Sequence, residues 1–258
     1  MELVESADGT RIAFEPIGSG TPVLIVGGAF STADAGRPLA AALAALGLQG
    51  VVMDRRGRGE SGDTRPSAPF REAEDVTAVI EALGGRAAVF GHSSGAVLAL
   101  FAAGEGAPAS HLFLSEPPFR FGAPGPAPDL ADRLRALVDE GRPAEAVVLF
   151  QREGIGLPDA VIEQLRASPM FAGLVRVAGS TAHDAALTEL VATPTPAMTG
   201  VGQPVVILRG EPTVPMLVTA AERLAAAMPT ADLVVVPESH DHGVDPEATA
   251  RLVRARIP

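Results

Sequence analysis

The chain has no cysteine. That excludes disulfides, thiol chemistry and zinc–thiolate sites, and it removes the usual clue to redox compartment. A cytoplasmic location is the default expectation. Tryptophan and tyrosine are absent too, as are lysine and asparagine, so all 20 basic residues are arginine. High genomic GC content suppresses lysine, asparagine and tyrosine through their codons, but removes tryptophan and cysteine less readily. Two accounts stay open: plain composition bias, or a deliberately reduced alphabet built on a natural parent. Positive charge is also scarce. A net charge of −11 argues against nucleic acid or an anionic membrane as a partner. No apolar run approaches membrane-spanning length. The opening residues Met1 to Arg11 are polar and acidic, so no signal peptide is expected. At 258 residues the chain can bury one full core, with room for an insertion.

What is present centres on Val89-Phe90-Gly91-His92-Ser93-Ser94-Gly95-Ala96-Val97. The apolar run Ala87 to Phe90 predicts a buried strand, and Ala96 to Ala103 predicts an apolar helix. Between them lies a Gly-x-Ser-x-Gly turn. A serine on so sharp a strand-to-helix turn is driven to positive φ, and its neighbours two residues away must be small. Such a turn lifts the Ser93 hydroxyl clear of the sheet. It also aims the first N–H groups of the helix at a ligand beside it.

Around this centre, strands and helices alternate. Strands are predicted at Glu2 to Glu5, Arg11 to Pro16, Pro22 to Val26, Gly50 to Asp54, His111 to Ser115, Gln203 to Arg209 and Asp232 to Val236. Helices are predicted at 38–48, 71–83, 215–228 and 246–257. This order predicts a parallel, doubly wound sheet with ligands at the carboxyl ends of its strands. Ala29, Asp54, Ser93 and Glu116 fall at such ends. From Phe121 the pattern changes. Four helical stretches, near 129–140, 143–152, 158–167 and 170–190, follow with no strand between them. Residues 121–200 are therefore expected to form a helical cap inserted into a core of residues 1–120 and 201–258. Gly57-x-Gly59-x-x-Gly62 superficially matches a dinucleotide fingerprint. It is read as loop instead, because Asp63-Thr64-Arg65-Pro66 follows where a helix should open.

With Ser93, the pair Gly27-Gly28, Asp54 and a late histidine in place, the chain resembles the α/β-hydrolase family over nearly its whole length. Asp54-x-Arg56-Gly57-x-Gly59-x-Ser61 matches a loop of that family, and Gly91-x-Ser93-x-Gly95 matches its nucleophile elbow. The resemblance implies a mostly parallel sheet of about eight strands with a helical cap. It implies Ser93 as nucleophile and a histidine after the last strand, His240, with His242 as the rival. It implies oxyanion donors at the Ala29 and Ser94 N–H groups, Phe30 being the next choice. The acid is the departure: the family's usual position is Thr213 here. Glu116 and Glu211 are the replacements, and Glu116 is preferred, because a group of bacterial α/β-hydrolases carries Glu-Pro-Pro at this place.

The chemistry follows from the residue types. A serine hydroxyl needs a base with a pKa near 7, which histidine supplies. Glu116 would orient His240, and an acyl-serine would form and be released by water. The expected substrate is a small ester, thioester or lactone, with no cofactor and no metal. His240-x-His242 beside Asp241 and Asp245 lacks the distant ligands a metal site needs. Phe30, His92, Phe119, Met170, Phe171 and His183 are candidates to line the substrate pocket, although His92 and His183 also read as packing residues. Arg55, Arg56 and Arg58 read as loop structure rather than a phosphate site. A binding protein that kept the fold and lost turnover, or an inactive simplified scaffold, stays open as the rival class because Thr213 replaces the usual acid.

Overall fold

The computed structural model describes residues 1–257. Eight strands form one sheet: β1 (Glu2–Glu5), β2 (Arg11–Gly18), β3 (Thr21–Val26), β4 (Leu48–Met53), β5 (Ala87–His92), β6 (Ala109–Ser115), β7 (Val205–Gly210) and β8 (Asp232–Val236). Their spatial order is β1-β2-β4-β3-β5-β6-β7-β8. β2 pairs antiparallel with β1 and β4, and every other pairing is parallel. The central strands are apolar at successive positions because both faces are covered. Leu24, Val26, Val89, Leu112 and Leu114 point into one core, whereas Val23, Ile25, Ala88, Phe90 and Phe113 point into the other.

Helices α1 (Ala33–Ala45), α2 (Pro69–Ala82) and α3 (Ser94–Gly104) follow β3, β4 and β5. α2 and α3 cover the first face, and α1 covers the second. α1 starts five residues earlier than expected and contains Pro38. Its first N–H, at Ala33, is capped from another loop by Asp54 Oδ1 at 2.7 Å, whereas Thr32 at the N-cap makes no side-chain capping bond. Strand order reverses at β3, which lies between β4 and β5. The crevice of a doubly wound sheet is expected at such a point, here the carboxyl ends of β3 and β5, which lead into Gly28 and Ser93.

Among the described residues no strand lies between Ser115 and Val205. Helices α4 (Leu130–Asp139), α5 (Pro143–Leu149), α6 (Asp159–Arg166), α7 (Phe171–Arg176), α8 (Thr181–Leu190) and α9 (Pro196–Thr199) fill the interval. Phe150–Ile155 continues α5 as a π-helical turn. The helix expected over 170–190 is broken. The Ser180 and Thr181 hydroxyls donate to the carbonyls three residues back, at 2.8 and 2.7 Å, and stabilise a tight turn between α7 and α8. The helical segment has a small core of its own, including Leu134, Val147, Phe150 and Ala182. Leu187 and Val191, at the far end of α8, instead enter the main core beside α3. α10 (Pro215–Ala227) and α11 (Pro246–Arg254) complete the chain, α10 on the α3 face and α11 beside α1.

Candidate active site

β5 passes into α3 through Ser93 alone, which sits at φ 55°, ψ −125°. Two glycines permit this turn. A Cβ on Gly91 would meet Ala96 Cα at 2.5 Å, and one on Gly95 would overlap the Val26 carbonyl and meet the Gly27 carbonyl at 2.5 Å. Gly91 thus lets the strand approach its own helix, whereas Gly95 lets that helix approach the end of β3. The Ser93 N–H is tied to the Ser115 carbonyl of β6 at 2.8 Å.

Glu116 follows β6 directly, at φ 49° and 1% exposure. Its Oε1 accepts the Gly210 N–H at 2.8 Å, and its Oε2 accepts a hydrogen bond from His242 Nδ1 at 2.5 Å. Burial alone would push this carboxyl up. The His242 ring, the Gly210 N–H and the facing Thr213 hydroxyl outweigh burial and hold it below the usual carboxylate range. A carboxylate can only accept, so the His242 proton lies on Nδ1 and Nε2 is left as the basic nitrogen. The His242 ring packs against His92, with centroids 4.6 Å apart. Burial, and then the neighbouring His242 charge, depress His92 to about 4, so His92 is neutral at pH 7.

His240, the expected partner of Glu116, is not brought to it. His240 is exposed, and its Nδ1 lies 3.0 Å from the Glu211 carbonyl oxygen. The reason is a tight turn. The Gly243 N–H returns to the His240 carbonyl at 2.7 Å, with Asp241 at φ 51° and His242 at φ 63°. The turn faces the first histidine outward and the second inward. Glu211 is also exposed and touches His240 only through its backbone.

The third wall is Gly27-Gly28-Ala29-Phe30. Gly28 sits so close to the elbow that a Cβ there would lie 2.9 Å from Ser93 Cβ. Among the described residues, no hydrogen bond engages the N–H of Ala29 or of Ser94. Phe30 takes φ 61° and packs edge-on against Phe150 of the helical segment, centroids 5.5 Å apart. Phe30, Ser93, Glu116 and His242 thus all hold left-handed backbone, a conformation that costs on the order of 1 kcal/mol or more per non-glycine residue and gathers at functional sites.

The remaining candidates divide. Phe119 is buried against Phe121 and lines a cavity of about 500 Å³ with Met216 and Ile155. Phe171 packs on the core of the helical segment. Met170 is 66% exposed. His183 is buried, its Nε2 3.3 Å from Asp63 Oδ1. Asp54 holds the loop together, accepting the Ala33 and Glu60 N–H groups. Sequence reasoning missed a buried ionic cluster. Arg55 pairs with Glu72 and Asp184, Arg56 with Asp8 and Asp75, and Arg58 with Asp184. One signal was available. Glu72 and Asp75 share the α2 face that also carries Val76, Val79 and Ile80, so helical periodicity buries both acids.

A model of the alpha/beta hydrolase family matches residues 23–252. The crystal structure of an alpha/beta hydrolase from Sphaerobacter thermophilus DSM 20745 is 41% identical, with a TM-score of 0.90 over 98% of this chain and 99% of that one. An esterase from Exiguobacterium antarcticum (20% identity, TM-score 0.71, 98% and 97% covered) shares the fold, as does an enol-lactonase from Burkholderia xenovorans LB400 (17%, 0.69, 98% of each). No curated protein matches the chain. An eight-stranded sheet, a strained serine elbow and a family match across most of the length agree, and the chain belongs to the alpha/beta hydrolase family.

Proposed function

We propose that the protein is a serine hydrolase that cleaves a small ester, thioester or lactone through an acyl-serine intermediate. The hydrogen bond between Glu116 Oε2 and His242 Nδ1 carries this reading, because it supplies the acid–base pair that the Thr213 position lacks. Ser93 is the nucleophile. His242 Nε2 takes its proton and returns it to the leaving group. Glu116 fixes the tautomer and stabilises the imidazolium. The free N–H groups of Ala29 and Ser94 receive the oxyanion, each worth about 3 kcal/mol in the transition state. Water then repeats the cycle on the acyl-serine. The esterase and lactonase among proteins of this fold support an ester-type carbonyl as substrate.

A fluorophosphonate probe tests the proposal. Intact mass should show one adduct on the parent and none on Ser93→Ala. His242→Ala should lose labelling, while His240→Ala retains it. A folded parent that takes no label overturns the hydrolase reading and favours a binding role.

A further inference from the structure

We propose that Asp184, on α8 of the helical segment, is a positioning residue that aims both oxyanion donors. The inference rests on the serine-hydrolase reading above and deepens it.

Asp184 is 1% exposed and lies 90 residues beyond Ser94 in the chain. Its Oδ1 accepts from Ser94 Oγ at 2.7 Å and from Arg55 Nη1 at 2.9 Å, and its Oδ2 accepts from Arg58 Nη2 at 2.7 Å. The two arginines continue toward the glycine pair. Arg55 Nη1 donates to the Gly27 carbonyl at 3.2 Å, and Arg58 Nη1 donates to the carbonyls of Gly28 and Ser31.

The consequence follows from the planarity of the peptide. The Gly28 carbonyl and the Ala29 N–H belong to one rigid trans unit and point in opposite directions. Holding the carbonyl oxygen toward Arg58 therefore turns the Ala29 N–H away from Arg58. Likewise, pinning the Ser94 side chain fixes the residue that carries the other donor. One carboxylate thus acts on both donors, directly through Ser94 and indirectly through Arg58.

Charge explains why the carboxylate cannot be dispensed with. Arg55 and Arg58 are buried together, and Glu72 alone would leave one positive charge uncompensated. Burial, then the Arg55 charge, hold Arg58 below its ordinary range, and Asp184 and Glu72 oppose that pull. Removing the Asp184 charge would set the two guanidiniums against each other and free Arg58 to leave the Gly28 carbonyl. The helical segment would in this way prepare the oxyanion site as it seats on the core.

Asp184→Asn keeps the shape and removes the charge. Steady-state turnover of p-nitrophenyl acetate and inhibition by a phenylboronic acid, which becomes tetrahedral on the serine, are measured for it and for the parent. A displacement of donors by about 1 Å costs up to about 100-fold. The expected result is a kcat lower by about 10- to 100-fold, KM within about twofold, and boronate affinity reduced in step with kcat. Thermal melting confirms that the variant is folded. A buried pair that served stability alone would lower Tm and leave kcat and boronate affinity per folded molecule unchanged, and that result overturns the inference. If Asp184→Asn does not fold, Ser94→Ala carries the test. It keeps the Ser94 N–H but loses the link to Asp184, and it should show a smaller fall in kcat and boronate affinity together. No change in Ser94→Ala overturns the inference. A parent that fluorophosphonate does not label fails the hydrolase reading itself, and the inference with it. A labelled parent whose Asp184→Asn variant labels at the same rate fails the inference alone.

Discussion

Glu116→Gln is the substitution whose effect the geometry constrains most tightly. The carboxylate has two jobs: Oε1 accepts the Gly210 N–H at 2.8 Å, and Oε2 accepts from His242 Nδ1 at 2.5 Å. A glutamine side chain offers one acceptor and one donor group. If its oxygen keeps the Gly210 bond, its NH₂ faces Nδ1. The imidazole proton must then move to Nε2, and the base can no longer accept from Ser93. If the amide flips, the NH₂ meets the Gly210 N–H and two buried donors oppose each other, at a cost of about 1–3 kcal/mol. Loss of the charge-assisted bond to the imidazolium adds about 1.5–3 kcal/mol. Together these raise the barrier by about 2.5–6 kcal/mol, or roughly 70- to 25,000-fold in kcat. The assay is kcat on p-nitrophenyl acetate with KM recorded beside it, and fluorophosphonate labelling rate as a check that does not depend on deacylation. Glu211→Gln, whose side chain lies outside the pair, should stay within about threefold of the parent. A Glu116→Gln enzyme that keeps a third of parental kcat would refute the tautomer argument.

Three further outcomes are expected. Thr213 faces Glu116, so Thr213→Asp should restore at least about tenfold of the kcat lost in Glu116→Gln by returning a carboxylate to the pair; a double variant no faster than the single one contradicts this. His92 is depressed to about 4 in the fold against an ordinary 6.5, so between those pH values the unfolded chain takes up a proton that the folded chain refuses. Stability therefore rises with pH across that window and is lost as pH falls from 6.5 to 4, by up to ~3 kcal/mol. Thermal melts should show a steeper acid-side loss of Tm in the parent than in His92→Gln, and parallel profiles would contradict it. Gly95→Ala should lower stability by ~2 kcal/mol or more, because the new methyl overlaps the Val26 carbonyl; an unchanged denaturation midpoint would mean the elbow helix can shift away from β3.

The sheet was legible in the sequence because its central parallel strands, covered on both faces, carry apolar runs. Pro22 to Val26 is such a run; the edge strand Asp232 to Val236 is more exposed but carries four apolar residues in succession, and both became strands. Ser93 was legible for a local reason too, since the glycines that flank it follow from backbone contact. α1 was misplaced because its capping group, Asp54, lies 21 residues away from Ala33. The break in 170–190 has a local cause instead. Hydroxyl-to-carbonyl bonds at Ser180 and Thr181 compete with a helix whose composition would otherwise continue it.

The histidine shows where spacing stops informing. His240 and His242 differ by two residues, and on a strand both would face the same side. Spacing from β8 favours the nearer one. What selects between them is a three-residue reversal in which Asp241 and His242 both adopt positive φ, neither being glycine. Their local preferences oppose that conformation, so the tertiary contacts of His242, its bond to Glu116 and its packing on His92, must outweigh them. Those contacts come from β6 and β5, more than a hundred residues upstream. The Asp184 cluster obeys the same logic. Composition predicts that arginine and aspartate are solvated, and only the convergence of α2, α3, α8 and the loop after β4 makes four buried charges neutral as a group. Strand runs and Gly91 answer to neighbours in sequence, whereas Gly95, the Glu116–His242 pair and the Asp184 cluster answer to neighbours in space.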